Sequence, residues 1–236
     1  MNPYRQAFVD VLHSLENAEL TAGRPPGVRL LAVSKTQPAE ALAALVALGQ
    51  KAFGENYVQE AQAKQAGLAD LDIEWHLVGH LQSNKAREAA NAFDWVQTVD
   101  RPKLVDALAR HRPSDRAPLN VLVQVNIDDE ASKHGCRPDD ITPLAAAIAL
   151  QPRLALRGLM AIPAPDPDVA RRRQAFARMK ALFDRLRAEH AGVDTLSMGM
   201  SEDFALAIAE GATMVRVGTA LFGARNARCG AGPSGD

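Results

Sequence analysis

Eight short apolar runs, each followed by a breaker and all but the last by a helical stretch, restrict the fold of this chain more than any other feature. The runs are Val28–Thr36, Lys51–Gly54, Ile73–His80, Trp95–Val99, Leu119–Ile127, Leu154–Ile162, Thr195–Met198 and Met214–Val217. They are too short for amphipathic surface helices and read as buried strands. Between them, Pro38–Leu48, Tyr57–Leu68, Asn84–Phe93, Pro102–His111, Asp140–Leu150, Val169–His190 and Glu202–Glu210 read as helices. Pro38 opens the first of these and Gly49 stops it. Strand and helix alternating eight times point to a single (β/α)8 barrel of α/β class rather than an open doubly wound sheet, which has fewer strands.

Met1–Ala22 precedes the first strand with Phe8, Val11, Leu12, Leu15 and Ala18 at helical spacing. This leading helix can fill the place of a weak eighth helix. The expected organisation is one barrel domain over 1–225 and a Gly-rich, disordered tail over 226–236.

Composition narrows the partners. With 47% apolar residues, 23% charged residues and a formal net charge of -1, the chain offers no field for nucleic acid or an anionic membrane. The Arg171–Arg173 cluster reads as a solvated helix face. No run reaches the roughly 18 apolar residues of a membrane span, and Asp10, His13 and Glu16 interrupt any signal-peptide core. Cys136 and Cys229 form neither a disulfide framework nor a zinc spacing. A cytoplasmic protein is expected.

The chemistry gathers where the barrel closes. Strands one and eight become neighbours about 4.8 Å apart, so Lys35 at the end of one meets Arg216, Gly218 and Thr219 on the other. Leu31, Val33 and Lys35 share one strand face by alternation. Barrels of this kind bind phosphate with the loops after strands seven and eight. In the first of those loops Gly199 lets the backbone approach an anion, and Ser201 can cap the following helix or give its hydroxyl to phosphate. Arg216, flanked by Val215 and Val217, needs an anionic or acceptor partner to be buried. A lysine amine beside a phosphate site suggests a phosphorylated aldehyde, either pyridoxal 5'-phosphate or the substrate of a sugar-phosphate aldolase. His76 and His80 share a strand face, but their rings would stand about 13 Å apart, so no metal site is expected. Met160, Met198 and Met200 are expected to fill gaps around a ring.

Six segments carry a resemblance: AVSKT with Lys35, FGENYVQEA over Phe53–Ala61, WHLVGHLQSNKAR over Trp75–Arg87, GLMAIPAP over Gly158–Pro165, LSMGMSEDF over Leu196–Phe204 and MVRVGTALFGAR over Met214–Arg225. In order, and across about Val9 to Arg225, the chain resembles the pyridoxal phosphate homeostasis proteins, the YggS/PROSC family. The resemblance implies a fold-type III pyridoxal-phosphate barrel similar to the amino-terminal domain of alanine racemase. Lys35 matches the Schiff-base lysine, and Ser201, Gly218 and Thr219 match the phosphate cradle. Arg216 matches an arginine near both ring nitrogen and phosphate, and Asn56 lines the cofactor rim. His80 stands where some members carry proline.

The implied function is vitamin B6 homeostasis. The chain would hold pyridoxal 5'-phosphate (PLP) and buffer or deliver it to PLP-dependent apo-enzymes, as a monomer with no catalytic residues of its own. The rival is an enzyme, an amino-acid racemase or a Schiff-base aldolase. In the racemases that the chain resembles, a carboxy-terminal domain supplies a tyrosine to one face of the ring. Here the expectation is that no such domain follows the eighth strand, and Tyr4 and Tyr57 do not replace that tyrosine.

Overall fold

The computed structural model describes residues 2–130 and 134–223. Eight parallel strands close into a barrel in chain order: β1 (Arg29–Val33), β2 (Ala52–Glu55), β3 (Glu74–Leu77), β4 (Trp95–Val99), β5 (Leu119–Gln124), β6 (Leu154–Met160), β7 (Thr195–Ser197) and β8 (Met214–Val217). Closure pairs Leu31 with Arg216 and Ala32 with Val217. The expected (β/α)8 architecture is therefore observed.

Outside the strands run α1 (Arg5–Thr21), α2 (Ala39–Val46), α3 (Val58–Gly67), α4 (Ala86–Ala92), α5 (Pro102–His111), α6 (Ile141–Ala149), α7 (Val169–Glu189), α8 (Phe204–Ala209) and α9 (Thr219–Phe222). Local chemistry sets their starts: Pro102 stands in the first turn of α5, and the Asp168 carboxylate accepts the Ala170 amide at the head of α7. The leading helix does close the gap beside β8, where α9 is only four residues long. Tyr4 meets Phe222 edge to face at 5.8 Å. Arg24 donates to the carbonyls of Ile208 and Ala212 at the end of α8, both at 2.7 Å.

Two apolar layers result. The larger lies between strands and helices and includes Phe53, Val96, Leu159 and Phe176; truncating such a fully buried ring to alanine costs about 3–5 kcal/mol. Inside the barrel, Leu31, Ala52, Val78 and Met214 form one cluster and Trp95, Leu122 and Met160 another. Strict alternation fails on β6. The pairing with β5 slips between Val121 and Leu122, and Gly158 takes φ +144, where an added Cβ would sit 1.9 Å from the Thr195 carbonyl oxygen. This bulge puts Arg157, stacked on Trp95 at 5.0 Å, and Met160 on the inner face.

Several strands are shorter than the sequence suggests. β1 ends at Val33, because the Gln37 amide turns back to the Ser34 carbonyl and Thr36 takes φ +65, a left-handed conformation that no strand ladder continues. The domain limit at 225, the tail 226–236 and Cys229 lie outside the described residues. No helix of the described residues is long and apolar enough to cross a membrane.

Candidate functional site

In a closed parallel barrel all strands end at one mouth, so a residue's place there follows from which strand it succeeds. Lys35, Asn56, Ser201 and the Gly218–Thr219 pair follow β1, β2, β7 and β8, four strands adjacent around the barrel. The structure thus brings together the residues that the sequence singles out.

Lys35 lies in the turn after β1, not on the strand, and its side chain is exposed. The turn is held from α3. Lys64 is buried, and its ammonium donates to the Ser34 carbonyl at 2.8 Å, to Glu55 at 2.7 Å and to Glu60 at 2.8 Å. Glu60 in turn accepts the Thr36 amide. The backbone groups immediately before and after Lys35 are therefore both anchored by one ion-pair cluster. Glu55 also accepts the Ser34 hydroxyl at 2.6 Å. Burial holds its carboxyl above the ordinary value, with Lys64 and Ser34 opposing that shift.

Arg216 is 4% exposed and inward-facing. Its guanidinium donates to the Ser197 hydroxyl and to the Ala161 carbonyl, both at 2.8 Å. Among the described residues it forms no ion pair, and burial pulls its pKa down to about 10 although Asp203 partly opposes the shift. A polar file continues inward from Ser197. Its hydroxyl donates to Gln97 at 2.7 Å, the Gln97 amide meets His76 Nδ1 at 2.9 Å, and His76 Nε2 meets Glu74 at 2.7 Å. Arg29 pairs with the same Glu74 oxygen. Burial keeps His76 below its ordinary value, whereas His76 and Arg29 hold Glu74 down to about 2 against its own burial.

The loops close the mouth around Arg216. Gly218 lies against β1: an added Cβ would stand 3.1 Å from the Val33 carbonyl oxygen. Thr219 is exposed at the start of α9. Gly199 takes φ +91, and its carbonyl accepts the Arg216 amide at 3.0 Å, which folds the β7 loop over the arginine. Ser201 does not cap a helix. The Asp203 carboxylate takes the Met200 amide at 2.7 Å, and α8 begins only at Phe204, so the Ser201 hydroxyl has no hydrogen bond with another described residue. The Asn56 backbone packs against Gly79, where an added Cβ would fall 2.1 Å from the Asn56 carbonyl oxygen.

The three methionines do not surround one space. Met160 is inside the barrel, Met198 lies in the layer between strands and helices, and Met200 is exposed. His76 and His80 also part company, His76 buried in the polar file and His80 exposed at the rim. The sequence reading missed three groupings: the Lys64 cluster, the file from Ser197 to Glu74, and a rim group of His80, Asp100 and His134. Polar residues inside apolar strands, such as Gln97 in WVQTV, are the signal that could have shown the file.

The model of the alanine racemase N-terminal domain matches residues 9–226. The pyridoxal phosphate homeostasis protein of Pseudomonas aeruginosa is 51% identical, over 96% of this chain and 97% of its own length. That of Escherichia coli K12 is 47% identical, over 96% and 98%. Among solved structures, PipY of Synechococcus elongatus with PLP bound is 41% identical, with TM-score 0.77 over 87% of this chain and 97% of that one. Alanine racemase of Corynebacterium glutamicum, 19% identical with TM-score 0.62 over 90% of this chain and 59% of its own, shares the fold. By near-complete coverage at about half identity, this chain belongs to the pyridoxal phosphate homeostasis protein family, built on the alanine racemase N-terminal domain.

Proposed function

We propose that the chain binds pyridoxal 5'-phosphate at the mouth over β7, β8, β1 and β2, with Lys35 bonding the aldehyde, and serves as a carrier in vitamin B6 homeostasis. The observation that carries this reading is Arg216, a buried cation that among the described residues meets only neutral acceptors and no paired carboxylate. Such a charge is costly to bury unless an acceptor arrives. A phosphorylated pyridine offers both kinds of acceptor, phosphate oxygens and the ring nitrogen. The remaining residues fit the same group: Gly218 lets the β8 end pack closely against β1, Ser201 and Thr219 offer hydroxyls, Asn56 lines the rim, and Lys35 presents its amine on an anchored turn.

The cofactor supplies a reactive aldehyde and, in enzymes, an electron sink for carbanions. Arg216 favours the first use. A guanidinium facing the ring nitrogen would leave it unprotonated and the ring a weak sink. The relatives named above, matched over nearly their whole length, are named as homeostasis proteins. Release to PLP-dependent apo-enzymes and action in the cytoplasm complete the proposal.

Titrating cofactor-free protein with PLP, then incubating it with single-enantiomer amino acids in deuterium oxide, tests the reading. One equivalent bound with no α-proton exchange supports a carrier. Exchange near ordinary enzyme rates, about 1 per second or more, would make it an enzyme.

A further inference from the structure

We propose that His80, Asp100 and His134 bind a divalent first-row transition cation, zinc in the first instance, on the half of the barrel mouth away from Lys35. These residues follow β3, β4 and β5, whereas the residues around Lys35 follow β7, β8, β1 and β2. One ligand atom from each of the three lies within 4.8 Å of the other two. The His80 and His134 rings are in face contact, with centroids 3.6 Å apart and planes inclined by 13°.

Two imidazole nitrogens and a carboxylate oxygen are donors that zinc takes. With bonds of about 2.0–2.2 Å, the donors of a tetrahedral zinc site stand about 3.4 Å apart, so enclosing an ion requires the stacked rings to turn out of face contact until their in-plane lone pairs converge with the carboxylate. The two histidines are exposed and have room to turn, while the aspartate is half-buried and fixed. Arg101 fixes it, donating to one Asp100 oxygen at 2.6 Å and to the Leu81 carbonyl at 2.9 Å. That leaves the second carboxylate oxygen for an ion, with the outer support that ligating carboxylates usually have. Three protein donors leave coordination positions open to the mouth, the donor count of an open site rather than a closed structural one.

The test is a calorimetric titration of the chelator-treated full chain with zinc chloride at mildly alkaline pH. The same titration is run on His80→Ala, His134→Ala, the double variant and Lys35→Ala, each checked for folding by circular dichroism. The expected result is one saturable equivalent per chain, weakened about 10-fold or more by each single histidine change, absent in the double variant and unchanged in Lys35→Ala. Its independence from Lys35 separates this site from the proposed cofactor site. Unchanged binding in the double variant, or no saturable binding by the native chain up to about 1 mM zinc, overturns the proposal.

Discussion

The Ser197 hydroxyl accepts from the Arg216 guanidinium at 2.8 Å and, with its own proton, donates to Gln97 at 2.7 Å. That fixes the direction of everything below it. Gln97 uses its carbonyl for Ser197 and its amide for His76 Nδ1, so neutral His76 carries its proton on Nε2 and donates to Glu74. The file is a run of hydrogen bonds all donated one way, from the mouth toward the opposite end of the barrel, and such alignment strengthens its members. Its consequence at the mouth is a guanidinium held in one orientation.

Ser197→Ala should therefore weaken PLP binding by about 1 kcal/mol, roughly fivefold, by loosening Arg216 without removing it. Arg216→Gln should lose more, about 10-fold or more, because charge-assisted bonds to an acceptor are about twice as strong as neutral ones. Titration of cofactor-free variants decides this. Equal affinities in all three proteins would remove Arg216 from the site.

The Lys64 cluster makes a different prediction. Lys64→Met leaves the Glu55 carboxylate buried against lost donors and should cost about 3–5 kcal/mol. Changing both partners, Lys64→Met with Glu55→Leu, should recover most of that stability, since neither charge is then stranded. Urea denaturation of the two variants checks the sign. A double variant less stable than Lys64→Met alone would show that the pair contributes net stability.

His76 gives a pH dependence. Its folded pKa lies below the ordinary 6.5, so as pH falls through 6.5 the unfolded chain takes up a proton that the folded chain refuses. Stability should drop from neutral toward the folded value, with a slope of up to about 1.4 kcal/mol per pH unit. Glu74, held to about 2, adds its loss only at lower pH, and the raised Glu55 opposes the trend. His80, also lowered, acts in the same direction as His76. The comparison is thus between native chain and His76→Gln, whose stability should fall less steeply. Parallel curves would mean that His76 is not excluded from protonation in the folded state.

Gly79→Ala should destabilise the barrel and weaken PLP binding together. A Cβ 2.1 Å from the Asn56 carbonyl must push backbone, not a pliable side chain. Gly67, at the end of α3, meets nothing within 4 Å of an added Cβ, and Gly67→Ala is the control expected to leave binding unchanged. Thermal melts with PLP titrations compare the two, and a Gly79→Ala protein that binds normally would detach Asn56 from the rim.

The barrel was legible because eight apolar runs alternated with helical periods, and because closure makes the first and last strands neighbours. That argument alone made β1, which leads into Lys35, the neighbour of β8, which carries Arg216. It overran at β1, since nothing in VRLLAVSKT announces that Thr36 turns left-handed. Of the two roles it left open for Ser201, the helix cap fails, because Asp203 takes the Met200 amide and α8 begins only at Phe204. Nothing in the Tyr57–Leu68 stretch marks Lys64, and only tertiary packing against Glu55 reveals it. His80, Asp100 and His134 come from three segments, and no local spacing joins them.

Reduction with borohydride followed by peptide mapping tests the central claim most directly. PLP-loaded protein should show a visible absorbance that reduction abolishes, and the covalent adduct should map to Lys35. Lys35→Ala should show neither. An adduct on another lysine, or none, would contradict the assignment of Lys35 and with it the site built around the β1 and β8 ends.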